Sequence, residues 1–395
     1  MDDYPTIKIL PGEDRRLRAG SPWLYSNELR MDEAAKAIPP GSVVRLMAPN
    51  GKTLGVAHFN PRTLIAARLL TRNKDARVDR AFVERRLARA LQLRERLFPE
   101  PYYRLVHAEA DGLPGLVVDR FGDTVVMQAN TAGMDALEPE IAAALDAVVA
   151  PSVIVARHES GARQLEGLPL GTRALKGEAP ARVRVRENGL DYVADPVGGQ
   201  KTGWFYDQRP NRAFAARLCD EQEVLDLYTY AGAFALAAAA GGARQVTAVD
   251  SSEAALRLAA ESAEASGFAD RLRFERADVF DWLEAKAGTK QRYGVVIADP
   301  PAFVKSRRDL GAGFKGYRKL ARLAAALVTE PGFLCLGCCS YHVSTDAFLE
   351  AAWAGIREAG RGGRLINRGG AGADHPVHPG LPESAYLKFL AFALD

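Results

Sequence analysis

From about residue 191 onward, short apolar runs alternate with amphipathic stretches. Residues 223–230, 245–250, 272–276, 293–298, 332–339, 364–367 and 386–394 read as strands, with helical spacing between them at 252–266 and 317–328. Strands covered on both faces show near-continuous apolar runs, and their alternation with helices predicts a doubly wound α/β sheet. The amino-terminal pattern is different. Short runs at 7–10, 42–47, 54–59 and 64–70 are separated by turn signals at Pro39-Pro40-Gly41 and Asn50-Gly51, which predicts a small β-barrel over residues 1–74. Asp79 is an expected N-cap for a helix carrying Val83, Leu87, Leu91 and Phe98. Strand-like runs at 116–119, 124–130, 152–157 and 181–187 surround a helix near 137–149, and predict a middle α+β domain over 75–190. The third domain takes 191–395.

Composition adds limits more than direction. A chain of 395 residues, 48% apolar and 26% charged, is expected to form two or three globular domains. Its net charge of +3 does not announce a nucleic-acid partner. Locally, residues 68–96 hold ten Lys/Arg against four Asp/Glu, and 157–186 hold seven against three. Such stretches steer polyanions or are solvated arginine-rich helix faces. The acidic opening Met1-Asp2-Asp3-Tyr4-Pro5 predicts no secretory leader, and the longest apolar stretch, 231–240, is too short to cross a bilayer. Three of the four cysteines (219, 335, 338, 339) share one strand, which argues against a disulfide framework and for a cytoplasmic protein.

Candidate chemistry collects at strand ends. Asp226 lies on the first strand, ahead of a turn into a helix through Tyr228 and Gly232; Asp250 ends the second strand and Asp278 the third. A carboxylate ending the second strand is placed to accept ribose hydroxyls, and Asp278 could meet an adenine amino group. Each acid alone is as readily a helix N-cap. One glycine stands where a dinucleotide fingerprint needs three, so S-adenosylmethionine suits the pattern better than NAD. The segment 198–212, rich in glycine and aromatics, is either a flap over the cofactor or an interdomain connection.

The fourth strand ends in Asp299-Pro300-Pro301-Ala302-Phe303, and the fifth in Gly337-Cys338-Cys339-Ser340. Prolines fix the direction of Asp299, and acidic Pro-Pro loops suit planar nitrogenous bases. A thiol beside such a loop suits attack on carbon 6 of a pyrimidine, which makes carbon 5 nucleophilic. The bland alternative is that both cysteines are small core residues. Cys335-x-x-Cys338 lacks a second ligand pair, so no metal is expected.

Together these residues resemble a family of bacterial ribosomal-RNA cytosine-5 methyltransferases with an N-terminal PUA domain. Its most specific piece is Gly199-Gln200-Lys201-Thr202-Gly203, followed by Asp207-Gln208-Arg209 and Asn211-Arg212. Asp299-Pro300-Pro301, Gly316-Tyr317, Cys339-Ser340, Ala373-Asp374-His375-Pro376 and Tyr386-Leu387-Lys388 match as well, and Leu17–Trp23 is similar to a PUA start. The resemblance implies a PUA barrel, a middle domain and a class I methyltransferase domain with a Rossmann-like sheet. It further implies that Gln200, Lys201, Thr202 and Gly203, with Phe205, Asp207 and Arg209, contact S-adenosylmethionine. Asp299 and Cys339 would be catalytic, acting on large-subunit ribosomal RNA; a homodimer is compatible with it. Two departures stand out. Family members carry Thr-Cys-Ser-Cys-Ser where this chain has Leu336-Gly337-Cys338-Cys339-Ser340, so the nucleophile is Cys339 on alignment and Cys338 on a one-residue slip. The glycine turn reads Tyr230-Ala231-Gly232-Ala233-Phe234 where a second glycine is usual. Competing readings are methylation of a guanine nitrogen, which needs no thiol, and a non-catalytic RNA-binding assembly factor.

Overall fold

The computed structural model describes residues 4–395, and they group into two units. One holds the described part of Met1–Val183 with Asp195–Trp204 and Ala373–Ser384; the other holds Arg184–Ala194, Phe205–Gly372 and Ala385–Asp395.

In the first unit, β1 (Thr6–Lys8), β2 (Trp23–Tyr25), β3 (Ser42–Met47), β4 (Thr53–Phe59) and β5 (Ile65–Thr71) form a sheet in the order β1-β3-β4-β5-β2. A bridge between Ile9 and Leu29, with Arg30 N donating to Lys8 O at 2.8 Å, joins its two edges. The expected barrel is therefore nearly closed, around Ile7, Leu24, Val44, Leu46 and Phe59. A second sheet, β10 (Gly171–Lys176), β9 (Val153–His158), β8 (Thr124–Ala129), β7 (Leu116–Phe121) and β6 (Tyr102–His107), shares its core with the Arg80–Leu97 and Glu138–Val149 helices. Asp79 caps the first of these, accepting from Phe82 N at 2.9 Å as its sequence position predicts.

The run at 181–187 does not join that middle sheet. It forms β11 (Val183–Glu187), which pairs with β12 (Leu190–Ala194) across the Asn188-Gly189 turn. Its alternating burial is that of a two-stranded ribbon with one face wet, a pattern short-range reading cannot assign to a particular sheet.

The second unit carries β13 (Glu223–Leu227), β14 (Gln245–Asp250), β15 (Leu272–Arg276), β16 (Tyr293–Ala298), β17 (Val328–Cys338), β18 (Gly363–Gly369) and β19 (Lys388–Leu394), in the order β15-β14-β13-β16-β17-β19-β18. The first five are mutually parallel, and β19 runs antiparallel to both its neighbours. β16 (YGVVIA) is buried along its whole length, whereas the edge strand β18 (GRLINRG) alternates. Strand order reverses between β13 and β16. Open α/β sheets bind ligands beyond the carboxyl ends at such a point.

Candidate active site at the strand ends of the second unit

At that reversal, Leu227 and Ala298 are register partners, so the loops after β13 and β16 leave side by side. The first loop is strained. Tyr228 (φ 62°) and Tyr230 (φ 49°) occupy the left-handed region, which bulky side chains rarely enter. Three hydrogen bonds hold them there: Thr229 N to Val249 O at 3.1 Å, Tyr230 N to Asp250 Oδ2 at 2.9 Å, and Thr229 Oγ1 to Asp226 Oδ2 at 2.5 Å. Overdetermined backbone strain of this kind gathers at ligand clamps. Gly232 also has positive φ, and a Cβ there would lie 2.8 Å from that of Ala259, so its bareness serves helix packing.

The three expected acids differ in environment. Asp226 is fully buried; burial pushes its carboxyl up to about 7, the Thr229 hydrogen bond opposes this, and the Asp299 and Asp250 charges add to it. Asp226 thus braces the strained turn from beneath. Asp250 is half-buried and is aimed by two amides, Tyr230 N and Ser252 N (2.8 Å), leaving each oxygen a further lone pair. Ser252, not Asp250, caps the helix that follows. Asp278 is exposed and does act as an N-cap, accepting from Phe280 N at 2.8 Å and Asp281 N at 3.2 Å. Burial, with the Asp278 and Asp250 charges, raises the Tyr228 phenol, so this ring sits among the acids.

Across the crevice, Gln208 Nε2 donates to Asp299 Oδ2 at 2.8 Å. Gln208 is itself held by Asn211 Nδ2 (2.6 Å), which also reaches Gly370 O (3.0 Å). A Cβ on Gly337 would lie 2.2 Å from Asp299 Oδ1. The bare glycine therefore leaves the space that Asp299 fills. Adjacent strand residues face opposite ways, and Cys338 and Cys339 divide accordingly. Cys338 is buried in the sheet core beside Leu336 and Phe392, whereas Cys339 is partly exposed with Sγ 3.8 Å from Pro300 O.

The loop between them is pinned. Ser340 Oγ pairs with Tyr317 Oη at 2.6 Å and accepts from Val304 N at 3.2 Å, while the Phe303 ring lies 4.8 Å from Tyr317. Lys388 is buried and donates to Ser340 O and Tyr386 O, each at 2.8 Å. Burial lowers its ammonium pKa, and the two neighbouring thiols oppose that shift.

Of the 198–212 segment, Phe205 stacks edge-on against Tyr230 at 5.3 Å. Asp207 is buried, accepts from Tyr386 Oη, and takes Gly372 N on its carbonyl at 2.9 Å. Arg209 lies 5.3 Å over the Tyr206 ring. Gln200, Lys201, Thr202 and Gly203 belong to the first unit, where Thr202 Oγ1 donates to Asp119, itself gripped by Arg104 at 2.6 and 3.0 Å. The Ala373–Pro376 motif is anchored in the first unit. Asp374 is buried, accepts from Arg104 N at 3.0 Å and lends its carbonyl to Arg94 at 2.9 Å. Gln208, Tyr317 and Lys388 sit in the quoted motifs, yet their positioning roles have no signature in local sequence. An uninterrupted run of polar residues entering a helix at Asp207-Gln208-Arg209 was the only available signal.

Residues 157–390 match the S-adenosylmethionine-dependent methyltransferase family, and residues 7–72 match a PUA-like domain. The chain is 34% identical over 390 residues, 98% of each chain, to ribosomal RNA large subunit methyltransferase I of Cronobacter sakazakii. It is also 34% identical over 394 residues, again 98% of each chain, to the protein of that name from Klebsiella pneumoniae. Its fold is shared with a candidate methyltransferase from Streptococcus mutans (TM-score 0.83, 23% identity, 98% of this chain and 100% of that one). A candidate methyltransferase crystallised with SAH superposes with TM-score 0.85 at 22% identity, over 98% of this chain and 100% of that one.

Proposed function

Because the chain belongs to the ribosomal RNA large subunit methyltransferase I family of S-adenosylmethionine-dependent enzymes, we propose that it methylates carbon 5 of a cytosine in large-subunit ribosomal RNA, with Cys339 as the nucleophile. One observation carries this reading: of two adjacent cysteines, the one that reaches the Asp-Pro-Pro loop is half-exposed, while its neighbour is sealed in the core. Methylation of a guanine nitrogen would have no use for that thiol.

The crevice fits a nucleoside cofactor without a pyrophosphate. Asp250 is oriented by two amides and retains acceptor capacity for two ribose hydroxyls, Tyr228 and exposed Asp278 lie beside it, and a single glycine marks the turn. Bound there, S-adenosylmethionine would supply the methyl group, its sulfur–methyl bond breaking as the bond to carbon 5 forms and S-adenosylhomocysteine leaving. The chain's own residues do the rest. Cys339 thiolate adds to carbon 6 of the base, and the ring electrons move toward carbon 5. Asp299, kept in one direction by Gln208 and the two prolines, orients the base through its ring nitrogen or amino group. The buried Lys388 ammonium favours the thiolate form of Cys339. After carbon 5 gains its methyl group, a base takes the carbon-5 proton; the electron pair of that bond re-forms the ring double bond as the carbon–sulfur bond breaks and frees Cys339. Phe303, locked by Tyr317, offers a ring beside the loop for stacking.

The experiment is nucleoside mass spectrometry of large-subunit rRNA transcripts incubated with the enzyme and labelled S-adenosylmethionine. Label in 5-methylcytidine is expected; label in a methylguanosine would overturn the reading.

A further inference from the structure

The arginine-rich stretch noted at 68–96 is only partly spent on internal structure. A groove of about 700 Å³ opens within the first unit, and Arg72, Arg86, Arg89 and Arg96 line it together with His378. Its two carboxylates are already engaged. Glu109 accepts from Trp23 Nε1 at 2.7 Å and Arg68 at 3.1 Å, and Asp111 accepts from Arg94 at 2.6 and 2.8 Å. Among the described residues, none of the four lining arginines has an ion pair.

Two of the four are held in place by main chain. Arg72 donates to Leu17 O at 2.6 Å and Arg86 to Leu70 O at 3.0 Å, so each guanidinium is fixed while other N–H groups remain for a ligand. Arg86 also lies against Gly112, where a Cβ would meet its Nη1 at 2.6 Å. Arg89 and Arg96 are exposed on the same helix, and 86, 89, 93 and 96 share one face. The helical distance from Arg86 to Arg96 is roughly 15 Å. That spans several phosphates at about 3.4 Å per phosphate of one duplex strand. Burial and the like charges of Arg89 and Arg85 disfavour the Arg86 cation, a repulsion that a bound anion relieves. No Phe, Tyr or Trp lines the groove, so it offers charge without a stacking platform.

We propose that this groove binds the phosphodiester backbone of RNA, independently of base identity, through Arg72, Arg86, Arg89 and Arg96. It rests on the reading of the protein as an RNA methyltransferase, and supplies affinity while the crevice of the second unit supplies base chemistry.

The test uses full-length protein and a fluorescent, cytosine-free oligouridylate of about twenty nucleotides, with anisotropy read between roughly 50 and 200 mM salt. Arg89→Ala/Arg96→Ala, two exposed positions, should weaken binding on the order of tenfold at the low-salt end. It should also flatten the dependence of log K on log salt by about 1.4, the loss of two single-strand phosphate contacts. Arg89→Lys/Arg96→Lys should keep most of the slope. Binding of S-adenosylhomocysteine should be unchanged in both. An unchanged slope in the alanine variant overturns the proposal. So does stabilisation of the wild type by inorganic phosphate that the alanine variant loses while its RNA slope stays intact, because the groove is then a site for free phosphate. A lysine variant as weak as the alanine one also overturns it. Because the probe holds no cytosine, a flattened slope supports the groove even where methylation of cytosine fails to appear.

Discussion

Cys339 points its thiol at the carbonyl oxygen of Pro300, 3.8 Å away, so the fifth strand of the parallel sheet meets the proline loop of the fourth at the one half-exposed cysteine. Cys338, a single residue earlier, is sealed beneath the sheet. Cys339→Ala should therefore lower methyl transfer on the order of a thousandfold or more, in keeping with loss of a nucleophile. Cys338→Ala should leave the rate within a few-fold and instead lower Tm by a few degrees. Single-turnover kinetics with calorimetric S-adenosylhomocysteine binding checks both. Equal loss in the two variants would contradict the division.

Gly337→Ala should separate activity from stability. The added Cβ would sit 2.2 Å from Asp299 Oδ1, a side-chain atom, and 3.2 Å from its Cα, so the carboxylate has to turn from its Gln208 contact while the strand pairing is kept. Displacement of a reacting group by about 1 Å costs on the order of a hundredfold in rate. A thermal melt alongside the rate measurement distinguishes this from unfolding.

Gln208→Ala removes the donor that holds Asp299 at 2.8 Å. The expected outcome is a lower kcat with S-adenosylhomocysteine affinity unchanged. Gln208→Glu, which keeps the shape but puts an acceptor and a negative charge opposite the carboxylate, should be no better than alanine. Recovery of activity in the glutamate variant would show that the hydrogen bond is not what matters.

Lys388→Met removes a buried cation that feels both thiols. Without it the Cys339 thiolate loses electrostatic support, and its alkylation by iodoacetamide should shift to higher pH. A Cys339→Ala background identifies the reacting thiol. An unmoved profile would leave Lys388 as a tether for Ser340 and Tyr386 alone.

His58 predicts part of the pH dependence of stability. It is buried; desolvation first, and the Arg68 charge second, lower its pKa from 6.5 to about 4. The unfolded chain binds the proton more readily, so stability falls as pH drops from about 6.5 toward 4. A methionine is apolar at every pH, and His58→Met should reduce this slope in chemical denaturation curves at pH 4 to 7.

Much of this was legible in sequence, for reasons tied to particular residues. The strand cores of the second unit are apolar runs such as Val295-Val296-Ile297, and period-two alternation already required that Cys338 and Cys339 face opposite ways. Sequence could not say which one faces the crevice, because that depends on the pairing of Cys338 with Lys388, fifty residues on. The same limit hid the Asn211–Gln208–Asp299 relay and the burial of Asp374 against Arg94 and Arg104. Apart from the Asn211–Gln208 bond, which spans three residues, these hydrogen bonds join residues distant in the chain, with no local periodicity to betray them. Asp278 shows the converse: its local reading as an N-cap is correct, and leaves one oxygen of the group to the cap.

The most direct test of the central claim is covalent trapping. Fluorine at carbon 5 cannot leave as a proton, so large-subunit rRNA transcribed with 5-fluorocytidine should hold the enzyme after methyl transfer. With S-adenosylmethionine present, the account predicts a denaturation-resistant protein–RNA adduct whose peptide maps to Cys339 and which Cys339→Ala abolishes. An adduct mapped to Cys338, or full methylation of unsubstituted RNA by the Cys339→Ala variant, would contradict it.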